Sequence, residues 1–480
     1  MRQTPTAIVL IVTVFCCACA PRTTTTDGGR YGQVKIAEPE GEARAVVIFF
    51  SDRNGLSPAD DTAAQTIAKG GALVTEVDTT TYLNRLDKVN EKCHQPAFDA
   101  EWFSRHIQRE RGFPNYLTPI LVGVGEGATL VAMTLSWAPA ATIAGAISID
   151  PSATITSKQP ICSGAYVQHG PDGFRYGAES KMSGVWSIVL TTGASKESRD
   201  YVTALRREGA PALLCEVGKN QSIGAVLLAL MEQPWAKPKD TLSDISALPL
   251  TVLGVEHPSK VMAIVISGDG GWRDLDKTIA EDLQRKGVPV VGWDSLRYFW
   301  SKKTPVQVAN DLATVMRTFM ARWNANEVAL IGYSFGADVM PFAYNRLPDA
   351  LRSQVKLIAL LGFSRTADFE ITVSGWLGEP PGPKALPIFA ETEKIPAPLI
   401  QCFYGQAEGD SACPDLAHRG IETIRTGGGH HFDSNYDALA ERILAGLNRR
   451  VTSSSQIYFG TIAQAIDLSG SSPRRPRFWR

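Results

Sequence analysis

Two stretches of this 480-residue chain follow one strand–helix–strand plan with the same spacing. The first is Val46-Val47-Ile48-Phe49-Phe50-Ser51, a polar loop, a helical segment near Ala63 to Ala68, Gly71, the apolar run Ala72 to Val77, and Asp78. The second is Ala263-Ile264-Val265-Ile266-Ser267, a Gly-rich loop, a helical segment from Leu275 to Arg285, Gly287, the run Val288 to Trp293, and Asp294. Ser51 to Asp78 and Ser267 to Asp294 both span 27 positions, and Ser51 to Gly71 and Ser267 to Gly287 both span 20. Short, unbroken apolar runs of this kind read as strands covered on both faces, and their alternation with helices builds a parallel sheet. A chain this long exceeds the roughly 250 to 300 residues that one core organises. The spacing therefore predicts a duplicated unit: two tandem α/β domains with mostly parallel central sheets and helices on both faces.

The predicted boundaries follow composition. Residues 41–235 form the first domain, 236–250 a polar, proline-interrupted linker, and 251–450 the second domain. The Thr-, Gly- and charge-rich stretch 21–40 reads as a flexible tether and 451–480 as a flexible basic tail. Residues 1–20 carry Arg2, an apolar run from Ala7 to Phe15 and the small cluster Cys16-Cys17-Ala18-Cys19-Ala20, which is the pattern of an export signal too short to span a membrane. Cleavage after Ala20 and lipidation of Cys19 are the two ways to read its end. Past it lie five cysteines, an odd number. In an oxidising compartment Cys402 and Cys413 are placed to close a short loop, and Cys93 to pair with Cys162 or Cys215. Their spacing fits no zinc pattern, and neither a metal nor a cofactor is predicted. With 48 basic and 49 acidic residues the net charge is −1, which gives no basis for a nucleic-acid partner.

The run Glu327-Val328-Ala329-Leu330-Ile331-Gly332-Tyr333-Ser334-Phe335-Gly336-Ala337 sets a serine between two glycines where a buried strand passes into a helix. That is the form of a nucleophile elbow: the serine backbone is strained, its hydroxyl projects from the sheet, and the glycines let strand and helix pass closely. It makes the predicted fold α/β-hydrolase-like. The first half mirrors it in Pro119-Ile120-Leu121-Val122-Gly123-Val124-Gly125-Glu126-Gly127-Ala128, with Gly125 in the serine's place, and its closing strand, Ala212 to Gly218, lacks a histidine. The first half is thus predicted to be a degenerate copy without chemistry.

Acyl transfer by serine needs a base, an acid to orient it and donors for the oxyanion, in the chain order Ser, Asp or Glu, His for this fold. After Ser334 come the strand Val355 to Leu361, a strand ending at Gly405, a loop with Glu408 and Asp410, and a short strand leading into Gly427-Gly428-Gly429-His430-His431-Phe432. The glycine triplet lets the chain turn and present a histidine. His430 is the predicted base, with His431 its rival, and Glu408 and Asp410 are equal candidates for the acid. The N–H groups of Phe335 and of Asp269, in the loop Ser267-Gly268-Asp269-Gly270-Gly271-Trp272, are the predicted oxyanion donors. No Walker lysine or dinucleotide fingerprint accompanies that glycine-rich loop.

Together Asp294-Ser295-Leu296-Arg297-Tyr298-Phe299-Trp300-Ser301, Thr304-Pro305, the elbow with its extension to Pro348, and Gly428-Gly429-His430-His431-Phe432 resemble the AcvB/VirJ family of bacterial virulence proteins over roughly residues 250–450. The resemblance implies a periplasmic α/β hydrolase with Ser334 as nucleophile and His430 as base. It further implies a serine esterase acting on lysyl-phosphatidylglycerol or a related aminoacyl-phospholipid at the membrane surface, and a link to type IV secretion proteins as partners. The rival readings are a non-catalytic secretion accessory and a general carboxylesterase. A cationic aminoacyl group calls for nearby carboxylates: Asp338, one helical turn past Ser334, and Asp274 and Asp276 after the oxyanion loop are placed for it, with Trp272 beside the substrate.

Overall fold

A computed structural model of the chain describes residues 23–235, 245–372 and 385–451. The predicted export signal, residues 236–244 of the linker and all of the basic tail but Val451 lie outside these residues. Eight strands form the first sheet: β1 (Thr23–Asp27), β2 (Gln33–Ala37), β3 (Ala45–Phe50), β4 (Ala72–Val77), β5 (Ile120–Val124), β6 (Gly145–Ile149), β7 (Val185–Leu190) and β8 (Leu213–Glu216), in the order β1-β2-β4-β3-β5-β6-β7-β8. Seven strands form the second: β9 (Leu250–Leu253), β10 (Val261–Ile266), β11 (Val290–Trp293), β12 (Glu327–Tyr333), β13 (Val355–Leu361), β14 (Ile400–Gly405) and β15 (Glu422–Thr426), in the order β9-β11-β10-β12-β13-β14-β15. From β2 onward the first order is the second one repeated. In both, the first strand of that series runs antiparallel and the rest parallel. Two tandem α/β-hydrolase-like domains are the result.

The likeness reaches single hydrogen bonds. Thr79 N–H donates to Ser51 Oγ at 3.1 Å while its own hydroxyl donates to the Ser51 carbonyl at 2.6 Å. Ser295 treats Ser267 in the same way at 2.9 and 2.6 Å. Asp78 and Asp294 then cap the helices that follow, accepting from the N–H groups of Thr81 and Arg297. The equal spacing in the sequence is thus an equal wiring in space.

Residues 23–37, expected within a flexible tether, are instead paired strands. The β-branched run Thr23–Thr26 pairs antiparallel with β2, and Tyr31, Val34 and Ile36 are buried in the first core. Alternation of apolar and polar residues over Gln33–Ala37 is the strand signal that bulk composition conceals.

Within the second sheet successive side chains go to opposite faces. Met262, Ile264 and Ile266 of β10 pack with the helices Pro305–Trp323 and Phe335–Asn345, whereas Val261, Ala263 and Val265 pack with Asp274–Arg285 and Tyr436–Arg450. β12 is buried along its whole length, so Ser334 is carried at the end of a fully enclosed strand. Disulfides join Cys93 to Cys162 and Cys402 to Cys413, and Cys215 is unpaired. The two halves touch directly: the Trp300 indole N–H donates to the Phe113 carbonyl at 2.9 Å, the Arg109 guanidinium lies 3.7 Å from the Trp300 ring centre, and Tyr116 is buried in the second domain's core.

Candidate active site

Ser334 sits at φ 49°, ψ −118°, a conformation that costs a residue with a side chain about 1 to 3 kcal/mol and persists only where packing enforces it. Both flanking glycines are required. A Cβ at Gly336 would stand 2.2 Å from the Ile266 carbonyl oxygen, and one at Gly332 2.5 Å from that of Gly336. Gly125 in the first half keeps nearly the same backbone, φ 57°, ψ −114°. There the Asp52 carboxylate accepts the Glu126 N–H at 2.9 Å, and a Cβ on Gly125 would meet that same oxygen at 1.9 Å. A side-chain anion thus plugs the degenerate elbow and occupies the N–H equivalent to that of Phe335. The chain carries its own example of an anion held at this kind of turn.

At the intact elbow His430 Nε2 lies 2.9 Å from Ser334 Oγ, and His430 Nδ1 lies 2.6 Å from Glu408 Oε1. An ionised carboxylate only accepts, so Nδ1 carries the proton and Nε2 is the free acceptor facing the serine. The other Glu408 oxygen accepts the Gly405 N–H at 3.1 Å, and its side chain is only 4% exposed. The acid loop is stapled by the Cys402–Cys413 disulfide and by the Ala412 N–H bond to the Phe363 carbonyl. Asp410, the other acid candidate, is exposed farther along this loop, while Glu408 has taken the imidazole. His431 faces Tyr333, whose hydroxyl is 3.0 Å from His431 Nδ1 and also donates to the His430 carbonyl. That bond turns His431 away and fixes the backbone that aims His430. Gly362, at the end of β13, went unremarked in the sequence although a Cβ there would lie 2.7 Å from His430 Cε1. A glycine closing a buried strand beside the elbow strand was the available signal.

Burial pulls the His430 pKa down, but the bond to Glu408 and the charges of Glu408, Asp338 and Asp269 outweigh it, and the net direction is up. A base must be neutral to take a proton. Activity is therefore lost as pH falls through a raised pKa, and the acid limb of kcat/KM for a simple ester is expected above the ordinary histidine value of about 6.5. A pH–rate profile with its limb at or below that value would contradict this arrangement.

The loop Ser267–Trp272 lies against the serine: a Cβ on Gly268 would be 3.5 Å from Ser334 Cβ. Phe335 opens the helix behind Ser334, with its N–H in the first turn, where no intrahelical acceptor exists. Other expectations for this region need correction. Trp272 does not line a substrate cleft; it is 7% exposed and packs in the core against Gly292, where a Cβ would meet its ring at 2.3 Å. Asp338 is buried, accepts the Ser364 N–H at 2.8 Å, and has its pKa pushed up to about 8 by burial. It braces the backbone beyond β13 rather than offering a free carboxylate. Asp276 is buried in the capping box of the helix Asp274–Arg285, and burial drives its pKa well up. Asp274 is exposed at the start of that helix. Asp276 and Asp338, which look available in one dimension, are consumed by a cap and a strand end.

Residues 260–451 match the family model described as bacterial virulence protein (VirJ). The C-terminal domain is thus similar to the VirJ family. The first half lies outside the match, and no curated protein sequence matches the chain. Among solved structures, an esterase from Pyrobaculum calidifontis is 14% identical, over 44% of this chain and 82% of its own, with a TM-score of 0.29. The esterase domain of a Rhodothermus marinus protein is 12% identical over 44% and 96%, with a TM-score of 0.28. The Francisella virulence factor BioJ is 12% identical over 47% and 84%, with a TM-score of 0.30. The fold of the C-terminal domain rests on its own strand order and elbow, not on these likenesses.

Proposed function

We propose that the second domain is a serine esterase that cleaves the aminoacyl ester of lysyl-phosphatidylglycerol, or of a related aminoacyl-phospholipid, from the periplasmic side of a membrane. The observation that carries the proposal is the unbroken chain from Ser334 Oγ through His430 to Glu408, built on a strained elbow. In this reading Ser334 Oγ attacks the lysyl carbonyl carbon and passes its proton to His430 Nε2. The N–H groups of Phe335 and Asp269 receive the charge that develops on the carbonyl oxygen. As the ester C–O bond breaks, the Nε2 proton goes to the departing glycerol oxygen and phosphatidylglycerol leaves. Water, deprotonated by the same imidazole, then releases free lysine from Ser334 and restores the hydroxyl.

Charge around the base favours a cationic acyl group. Glu408, Asp338 and Asp269 all act on His430; Glu408 is bonded to the imidazole and Asp338 to the Ser364 N–H, while Asp269 is half-buried on the oxyanion loop. An ammonium group beside Asp269 would offset a negative charge that otherwise disfavours an oxyanion nearby. The two disulfides accord with an oxidising compartment. Among the described residues no helix is long and apolar enough to cross a membrane.

The test is release of free lysine from vesicles containing lysyl-phosphatidylglycerol, compared with a neutral acyl ester of the same glycerol headgroup. The cationic ester is expected to be cleaved at least about tenfold faster, a preference of about 1.4 kcal/mol, and Asp269→Asn to reduce that ratio. Equal rates on both esters would leave a general carboxylesterase, and an inert protein with an unlabelled Ser334 would leave a non-catalytic accessory of secretion.

A further inference from the structure

The loop that carries Asp269 contains three glycines in six residues, Ser267 to Trp272, and such a sequence does not hold one shape unaided. Its own domain supplies part of the support: the Asp294 carboxylate takes the Trp272 N–H, and Arg273 Nε donates to the Gly270 carbonyl at 2.8 Å. The remainder comes from the other half of the chain. On the helix Pro96–Glu110, Arg105 Nη2 reaches the same Gly270 carbonyl at 3.3 Å. Glu101, one turn earlier, is ion-paired at once to Arg105 and to Arg273. The carboxylate of one domain is thereby clamped between its own arginine and an arginine of the other, and the two cations share one loop carbonyl.

Glu101 and Arg105 are 4% and 3% exposed. Removing such charges from water costs several kcal/mol per ion unless partners are fixed in place, so an incidental contact would not be built from them. Burial lowers the Arg105 pKa, and the nearby Tyr116, Asp269 and Asp294 oppose that. The guanidinium is thus a cation set against Asp269 of the loop and Asp294 beside it.

We infer that Arg105 and Glu101, from the half that has lost its own nucleophile, are positioning residues that hold the oxyanion loop of the second domain in its working shape. The inference rests on the esterase reading above. It gives the degenerate half a role: with its elbow plugged by Asp52, it serves the other site from outside. Misplacing a donor by about 1 Å is enough to cost about 10²-fold in rate.

The test uses full-length protein with p-nitrophenyl acetate, whose small acyl group reads the loop rather than lipid binding. Arg105→Met is expected to lower kcat about 100-fold with KM within threefold, and to weaken a phenylboronic acid, which forms a tetrahedral anion on the serine, by a similar factor. Arg105→Lys, which keeps the charge, should recover part of both. A merely structural role would lower the melting temperature without separating kcat from KM or touching boronate affinity. If Arg105→Met does not fold, Glu101→Gln removes the clamp while leaving the Arg105 bond to Gly270, and about a tenfold fall in kcat is expected. Folded variants with both disulfides and kcat within threefold of wild type overturn the inference alone. A wild type that is inert and takes no fluorophosphonate on Ser334 sinks the esterase reading and this inference with it.

Discussion

Ser334→Ala is expected to lower the rate of ester hydrolysis by about 10⁴ to 10⁶-fold, with the protein folded and the melting temperature at least that of wild type. The size follows from the arrangement: among the described residues no other hydroxyl is bound at His430 Nε2, so the covalent route closes and only the residual effect of binding and oxyanion donors remains. Stability should not suffer, because the strain at φ 49° is imposed by the Gly332 and Gly336 contacts and alanine carries the same backbone penalty as serine. A fluorophosphonate probe should label wild type at Ser334 and leave the variant blank. Retention of more than about 1% of the rate, or equal labelling of both, would remove Ser334 from the reaction and with it the esterase reading.

What could be read from the chain beforehand depended on how local each determinant is. The elbow was legible because a turn that tight accepts glycine on both sides and because the strand and helix that flank it show in hydrophobic period alone. The tandem architecture was legible because duplication left equal spacings, and those spacings are held by Ser51 with Thr79 and by Ser267 with Ser295. Burial was not legible at Asp338 and Trp272, since a charged residue on a helix and an aromatic residue after a glycine loop are each compatible with a wet or a dry environment. Only the packing against Ser364 and Gly292 decides them. Strands β1 and β2 were missed because tertiary pairing overrode a composition that suggests a tether. The contact of Glu101 and Arg105 with Arg273 and Gly270 spans more than 160 positions, and no local pattern announces it.

Glu408 and Asp410 stood level in the sequence, and a substitution separates them in solution. Glu408→Gln is expected to lower kcat by about 10⁴-fold, or about 5.5 kcal/mol in the barrier, with KM little changed. The two Glu408 oxygens hold different donors, one accepting the Gly405 N–H and the other the His430 Nδ1–H. A glutamine has one oxygen and one NH₂ for the same two places. Gly405 can only donate, so the amide oxygen must stay with it and the NH₂ must face Nδ1. That NH₂ needs an acceptor, which forces the imidazole proton onto Nε2 and points a donor at Ser334 Oγ where an acceptor is required. The variant should fold, because both hydrogen bonds survive, the one to the imidazole in reversed sense. The same change removes the largest influence that raises the His430 pKa, so the acid limb of the residual activity should move to lower pH. Asp410→Asn should leave kcat within about threefold and the limb unmoved. If Glu408→Gln kept wild-type kcat and Asp410→Asn lost it, the loop between Cys402 and Cys413 would have to rearrange in solution to bring the second carboxylate onto His430.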